Sequence, residues 1–477
     1  MNLLGFSFYV FFLCVLVLYY TVGTAFHIQK YILLVTSVIF LTFYHWISLV
    51  VFIFVSGAAY LFAQIVSRQI NQQLRKLWLA VALVVVLGAL FLFKYLNFAL
   101  KITGFPGEIS ILNMFVPVGL SFYTFSASGY LIDVYRKKYP ATSNAADHML
   151  FLSLFPYVSS GPIERADHIL PQIKENHTLS AANLYQGGLY FLWGAFLKLV
   201  LADRLGVIVN WTYDNISICS GTTLLLSSFL YTLQIYFDFS SYSYLAIGLS
   251  RCLGYTIVSN FKRPYFAENI VDFWRRWHIS LTSWFRDYLY IPLGGNRKSP
   301  ARRYLNIMIV FTVSGIWHGA AIHYLVWGVF HGLLQVFYIL FNASSKAPTR
   351  KYTRVCSWFV TFFAVNIAWI FFRAPDMETA VKFISKMFSS FSSPLVSAVQ
   401  LMQSGIDIKD MALLLVALFV VTIVDLLRER HADLRKTLEA RGLTIKWMLM
   451  FGLFLLVLIF GRYGAGYESS NFIYFQY

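Results

Sequence analysis

Long apolar runs separated by short, basic turns govern this chain. The first five, at about 6–20, 31–43, 47–62, 77–98 and 115–135, read as membrane-crossing helices, because a span needs about 20 predominantly apolar residues. The run at 149–158 is too short to cross, and it leads into Ser159-Ser160-Gly161-Pro162-Ile163-Glu164-Arg165. That pattern predicts a re-entrant or interfacial segment, whose loosened backbone must be buried in protein or face water. Further spans are predicted at about 185–209, which holds Lys198, Asp203 and Arg204, and at 224–239, which closes on Tyr236-Phe237-Asp238-Phe239-Ser240. The stretch 311–332 carries His318, His323 and His331 in a run of apolar and small residues. After it come 358–372, an interfacial helix at 377–388, and spans at 411–427 and 447–460.

Between Arg251 and Arg303 the pattern changes. Over 273–289, FWRRWHISLTSWFRDYL, helical spacing puts Trp274, Trp277, Leu281, Trp284 and Tyr288 on one face and Arg275, His278, Thr282 and Arg286 on another. The expectation is one amphipathic helix at the inner membrane interface, inside a cytoplasmic-side segment at 254–303. It is either a plain surface helix with snorkelling arginines or a basic face for an anionic cytosolic donor such as a coenzyme phosphate.

Charge then orients the spans. Basic clusters at Arg68/Arg75/Lys76, Arg136/Lys137/Lys138, Lys346/Arg350/Lys351/Arg354 and Arg428/Arg430/Arg435/Lys436 mark the cytoplasmic side. Counting between them gives roughly a dozen spans with both termini outside, the first run being a retained span and 462–477 an extracytoplasmic tail. Composition agrees: 58% hydrophobic and only 12% charged residues, with mean hydropathy +0.65, exclude an ordinary soluble domain. The net charge of +17 sits mainly in loops, so it reads as topology and attraction to anionic headgroups, with no nucleic-acid partner. Cys14, Cys219, Cys252 and Cys356 lack paired spacing, so neither a disulfide framework nor a metal site is expected.

His318 is the leading candidate for chemistry. It lies about 15 residues beyond Arg303, or ~22 Å into a ~30 Å core, which places it in the outer half. Ser314, Gly315 and Ala321 share its approximate helical face, where another backbone or a substrate could approach closely. A neutral core histidine satisfied by a neighbouring helix fits the same pattern. No GxSxG elbow, HExxH motif or P-loop is present, so serine hydrolysis, zinc proteolysis and nucleotide-driven transport lack support.

Residues 260–296, NFKRPYFAENIVDFWRRWHISLTSWFRDYLYIPLGGN, together with Trp317-His318-Gly319-Ala320-Ala321 and Trp327-Gly328…His331-Gly332, resemble the membrane-bound O-acyltransferase (MBOAT) family. The branch resembled is that of the alginate O-acetylation membrane subunit. Ser160-Gly161-Pro162-Ile163, Tyr236-Phe237-Asp238-Phe239-Ser240 and the terminal Phe472-Ile473-Tyr474-Phe475 fit the same branch. Tyr244 departs from it, standing where the branch usually has aspartate. The resemblance implies an all-α polytopic fold over 1–477, a single domain with helices ringed around a funnel-shaped centre, in a bacterial cytoplasmic membrane. It implies His318 as catalytic residue, His278 as a second characteristic position nearer the cytosol, and Tyr474 as covalent acyl carrier.

Acyl transfer needs a base for the attacking hydroxyl, for which a neutral imidazole suits near neutral pH. The expected function is O-acetylation of an extracellular or cell-wall polysaccharide from a cytosolic thioester. Acetyl-coenzyme A is the expected donor and an acyl carrier protein the second choice. Trp274, Trp277, Arg275 and Arg286 are the candidate donor-side residues, and an external SGNH or serine-hydrolase-like transferase is the expected partner. Lipid or protein O-acylation is the alternative within the class, and a transporter using buried histidines the alternative outside it.

Overall fold

The computed structural model describes residues 3–21, 26–104, 116–342, 351–430 and 441–463. The terminal Tyr474 and Tyr477, and the basic residues Lys346, Arg350, Arg435 and Lys436, lie outside the described residues. Among the described residues every regular element is helical. Among the described residues, six helices combine the length and apolarity needed to cross a membrane: Trp46–Arg68, Gln72–Lys94, Ile322–Phe341, Thr353–Arg373, Ile408–Arg430 and Leu443–Phe460. Other expected spans lie within helices that are shorter, such as Phe6–Thr21, or more polar, such as Gly221–Cys252 with its aspartate, arginine and many serines.

The chain divides into two compact units. The first comprises Met1–Phe191, Ser243–Ser259 and Ser283–Pro292. Within it the helices Trp46–Arg68, Gln72–Lys94 and Leu120–Tyr135 pack on one another. Lys30 Nζ meets Asp147 Oδ1 at 2.7 Å with both side chains buried. The short apolar run becomes a helix Ala145–Ser153 and a single turn Phe155–Val158, and the backbone that follows is buried through Glu164, as a re-entrant segment requires. Glu164 accepts from the Val258 backbone N–H at 2.6 Å and holds His168 Nδ1 at 2.7 Å. In the same unit Tyr288 donates its hydroxyl to Asp133 at 2.7 Å, with the Arg165 guanidinium 4.3 Å over its ring.

The second unit comprises Leu192–Tyr242, Asn260–Thr282 and Leu293–Tyr477. It begins in a helix that widens into a π-helical stretch, Leu197–Ala202, before Asp203–Asp214. Widening frees carbonyl groups from the ordinary ladder. Arg204 Nη1 donates to the carbonyls of Leu199 and Val200 at 3.3 and 3.1 Å, its Nε donates to Asp410 at 2.8 Å, and the Arg462 N–H donates to the Leu199 carbonyl at 3.0 Å.

The histidine-rich stretch is a hairpin, with helix Pro300–His318 turning at Gly319 into Ile322–Asn342. Ser299 caps the first helix, accepting from the Arg302 N–H, and Pro300 takes its first turn, where a missing N–H costs nothing. The two helices cross at Gly315 and Gly328. A Cβ on Gly328 would lie 2.3 Å from the Phe311 carbonyl oxygen, and one on Gly315 would lie 2.4 Å from that of Tyr324. Only glycine fits this crossing. Because the helix ends at His318, Ala321 lies in the turn and does not share the histidine's helical face, contrary to the sequence expectation.

A second expectation fails at 273–289. In place of one amphipathic helix there are Ile270–Arg276, Ile279–Phe285 and a π-helical stretch Arg286–Tyr290. The first break has a visible cause. The extended segment at 260–262 takes the hydrogen bonds that would continue the helix: the Ile279 N–H donates to the Asn260 carbonyl and the Lys262 N–H to the Arg276 carbonyl, both at 2.9 Å. Ser280 Oγ then donates to Asn260 Oδ1 at 2.6 Å. His278 sits at the break with φ +44°, left-handed backbone that costs a non-glycine residue roughly 1–2 kcal/mol. It is therefore buried, not on an exposed face with Arg275.

Candidate active site

His318 stands at the carbonyl end of the helix Pro300–His318, only 4% exposed, inside an aromatic enclosure. Its ring meets Trp317 at 4.9 Å (79°), Trp327 at 5.0 Å (86°) and Phe372 at 5.2 Å (76°), all edge to face. The Gly319 backbone lies so close to the Tyr324 ring that an added Cβ would be 2.2 Å from it. These contacts fix the imidazole with little rotamer freedom. A helix's carbonyl end favours positive charge nearby, as an imidazole acting as a proton acceptor would need. Proton abstraction from a hydroxyl is the chemistry such a group can perform.

His331 is on the same hairpin and also shares Trp327, at 4.9 Å (71°). His323 is different. Its Nδ1–H donates to the Phe371 carbonyl at 2.9 Å, so it is a satisfied structural histidine. His278 is buried against Phe239 at 4.7 Å (85°) and lies 6.1 Å from Trp317, so the Trp317 ring stands in contact range of both His278 and His318. Sequence reasoning passed over Trp317, Trp369 and Phe372 as site residues. The first stands beside His318 in sequence, whereas Trp369 and Phe372 come from the helix Lys351–Arg373 and gave no local signal.

Trp274 and Trp277 are buried in the same aromatic cluster. Trp277 packs on Phe261, Phe273 and Trp369 at 5.0, 5.6 and 4.9 Å, and Trp274 on Phe311 and Trp327 at 5.1 and 5.8 Å. Neither offers a ring to solvent. Arg275 is exposed, while its neighbour Arg276 is tied to Asp272 and Glu429, both at 2.9 Å. Arg286, in the first unit, is exposed and paired with Asp287 at 2.8 Å. Tyr244, also in the first unit, stacks on Tyr190 at 6.0 Å (12°).

The charges of the 185–209 and 224–239 runs come together in the second unit. Lys198 Nζ lies 2.6 Å from Asp238 Oδ1 and 2.9 Å from Asp203 Oδ1, with all three side chains buried. A cation this deep is kept only with such partners, since desolvation costs several kcal/mol per ion. Among the described residues no cluster of three or more histidine, cysteine, aspartate or glutamate side chains is placed to hold a metal ion.

Comparison with known proteins gives this geometry its setting. The family model described as MBOAT, membrane-bound O-acyltransferase family, matches residues 1–374. A protein of Pseudomonas syringae pv. tomato named Probable alginate O-acetylase AlgI is 33% identical over 433 residues, covering 89% of this chain and 82% of that protein. The Peptidoglycan O-acetyltransferase of Helicobacter pylori is 33% identical over 343 residues, 66% of this chain and 65% of that protein. The Teichoic acid D-alanyltransferase of Bacillus subtilis is 28% identical over 239 residues, 47% of this chain and 60% of that protein. A multi-pass helical chain with a histidine enclosed at a helix end, matched over most of its length in this way, belongs to the membrane-bound O-acyltransferase family and is an O-acyltransferase of the membrane.

Proposed function

We propose that this enzyme passes acetyl groups from a cytosolic thioester to an extracellular or cell-wall polysaccharide, with His318 as the base. The enclosure of His318 at the end of its helix, in contact with three aromatic rings, is the observation that carries the reading. Acetyl-coenzyme A is the proposed donor, with an acyl carrier protein thioester in second place. The polymers in the relatives' names (alginate, peptidoglycan, teichoic acid) support a glycan or cell-wall acceptor. The proposed location is a bacterial cytoplasmic membrane, with both termini outside.

In the proposed cycle, His318 takes the proton of the Tyr474 hydroxyl as its oxygen attacks the donor carbonyl. The thiolate leaves and receives that proton. A phenol, with pKa near 10, is a better leaving group than a sugar hydroxyl, so the acetyl-tyrosine ester stays activated. An external serine-hydrolase-like transferase then collects the acetyl group for the glycan. Arg275 serves the anionic donor from the cytosolic side, and so does Arg286.

Purified enzyme supplied with acetyl-coenzyme A and no partner tests this. Intact-mass analysis of the tail is expected to show one acetyl group on Tyr474, absent from His318→Ala. Full polysaccharide acetylation by Tyr474→Phe would remove the carrier role, and near-normal acetylation by a well-folded His318→Ala would remove the base.

A further inference from the structure

We propose that His331 is a positioning residue for His318. Trp274 fixes it as the neutral Nε2–H tautomer, and through the shared Trp327 ring this imidazole holds His318 in its working orientation. The proposal rests on the reading of His318 as the base.

The tautomer follows from one hydrogen bond. Trp274 Nε1–H donates to His331 Nδ1 at 3.4 Å. An indole nitrogen can only donate, so Nδ1 must carry the lone pair, and the single proton of a neutral imidazole then sits on Nε2. Protonating His331 would place a second N–H against the indole N–H in a site with no exposure to water. The ring is also held sterically, by Trp274 at 5.0 Å (86°), by Phe273 stacked at 6.4 Å (3°) and by Trp369 at 6.2 Å (61°).

Trp327 carries this constraint to His318. It is fully buried and receives an imidazole on each contact, His331 at 4.9 Å and His318 at 5.0 Å. Reorienting either imidazole requires Trp327 to move. The arrangement is not the most stable one available. His331 Nε2–H and Trp327 Nε1–H are buried without a hydrogen-bond partner among the described residues, at about 1–3 kcal/mol each. Phenylalanine at 274, 327 and 331 together would avoid that cost without stranding a donor, so packing alone does not account for these side chains. Electrostatics does account for a histidine locked neutral. His318 gains a positive charge whenever it takes a proton, and a second imidazolium one indole away would oppose it.

The test uses the full-length enzyme in lipid vesicles with acetyl-coenzyme A. His331→Phe keeps the volume but strands the Trp274 N–H, so it is paired with Trp274→Phe/His331→Phe, which removes both partners and relieves the stranded donor. The double variant is expected to regain thermal stability while kcat stays about 100-fold down, as misplacement of a catalytic group predicts, with donor KM unchanged. Recovery of kcat along with stability would overturn the proposal. The 15N shifts of His331 in the labelled enzyme are expected to be those of the neutral Nε2–H tautomer and to change in Trp274→Phe. An Nδ1–H or doubly protonated pattern in the wild type would overturn the tautomer assignment. His318→Ala in the kcat assay separates the two ideas: if it is inactive while the double variant is fully active, only the positioning role fails, whereas an active His318→Ala removes the reading beneath it.

Discussion

At the scale of single residues, the environment decides which histidine can do chemistry. His323 gives its Nδ1 proton to the Phe371 carbonyl and is committed to the fold, whereas His318 is enclosed edge to face by three aromatic rings at the end of its helix. His318→Ala is therefore expected to lower transfer by about 10²–10⁴, the usual contribution of a general base, with membrane insertion unchanged. Transfer kinetics on protein matched for expression checks this. At His278 the backbone, with φ +44°, sets the constraint. His278→Asn, which tolerates that region, is expected to melt higher than His278→Leu, in which a branched apolar side chain takes the same strain.

One surface histidine carries a pH dependence. His168 is raised above its ordinary value by its hydrogen bond to Glu164. A raised pKa in the folded state means its contribution is fully present below about pH 6.5 and fades as pH climbs past the raised value. The melting-temperature difference between wild type and His168→Gln is expected to be largest in acid and to shrink toward neutrality and above. A flat difference would show that the pair adds nothing.

At the scale of elements, the buried Lys198–Asp238–Asp203 group ties the π-helical stretch to the helix Gly221–Cys252. Removing the cation alone, as in Lys198→Met, leaves two buried carboxylates facing each other, and breaking such a group costs about 3–5 kcal/mol. Lys198→Met/Asp238→Leu is expected to recover part of that loss. Thermal unfolding of both variants in one detergent compares them.

The same element shows what was legible in advance. Lys198, Asp203 and Asp238 stood out as charges inside apolar runs, but their pairing was not readable, because it joins residues 40 positions apart through a widened helix that no periodicity announces. The long apolar helices were readable for the opposite reason, since a bilayer imposes length and apolarity locally. The helix at 273–289 misled because its spacing continues through Trp277–His278 while the backbone does not. That break is made by Asn260 and Lys262, which lie upstream and carry no helical signal. His318 was legible as a polar group in an apolar hairpin, whereas its enclosure by Phe372 required the fold.

At the scale of the whole molecule, the proposed cycle asks one chain to serve a cytosolic donor and an external acceptor. Reversing charge at Arg275, exposed beside the Arg276–Glu429 pair, is expected to raise the donor KM several-fold with little effect on kcat. Steady-state titration of acetyl-coenzyme A gives both constants, and a change in protein level alone would mark Arg275 as an interfacial anchor.

The helix Leu443–Phe460 has no buried residue, and its end is held by the Arg462 N–H on the Leu199 carbonyl. Lipid is thus its main solvent, and the thickness of the bilayer bears on this helix directly. Eighteen residues rise ~27 Å, short of a ~30 Å hydrocarbon core, so a thick bilayer must thin around this helix or pull on its Arg462 tether.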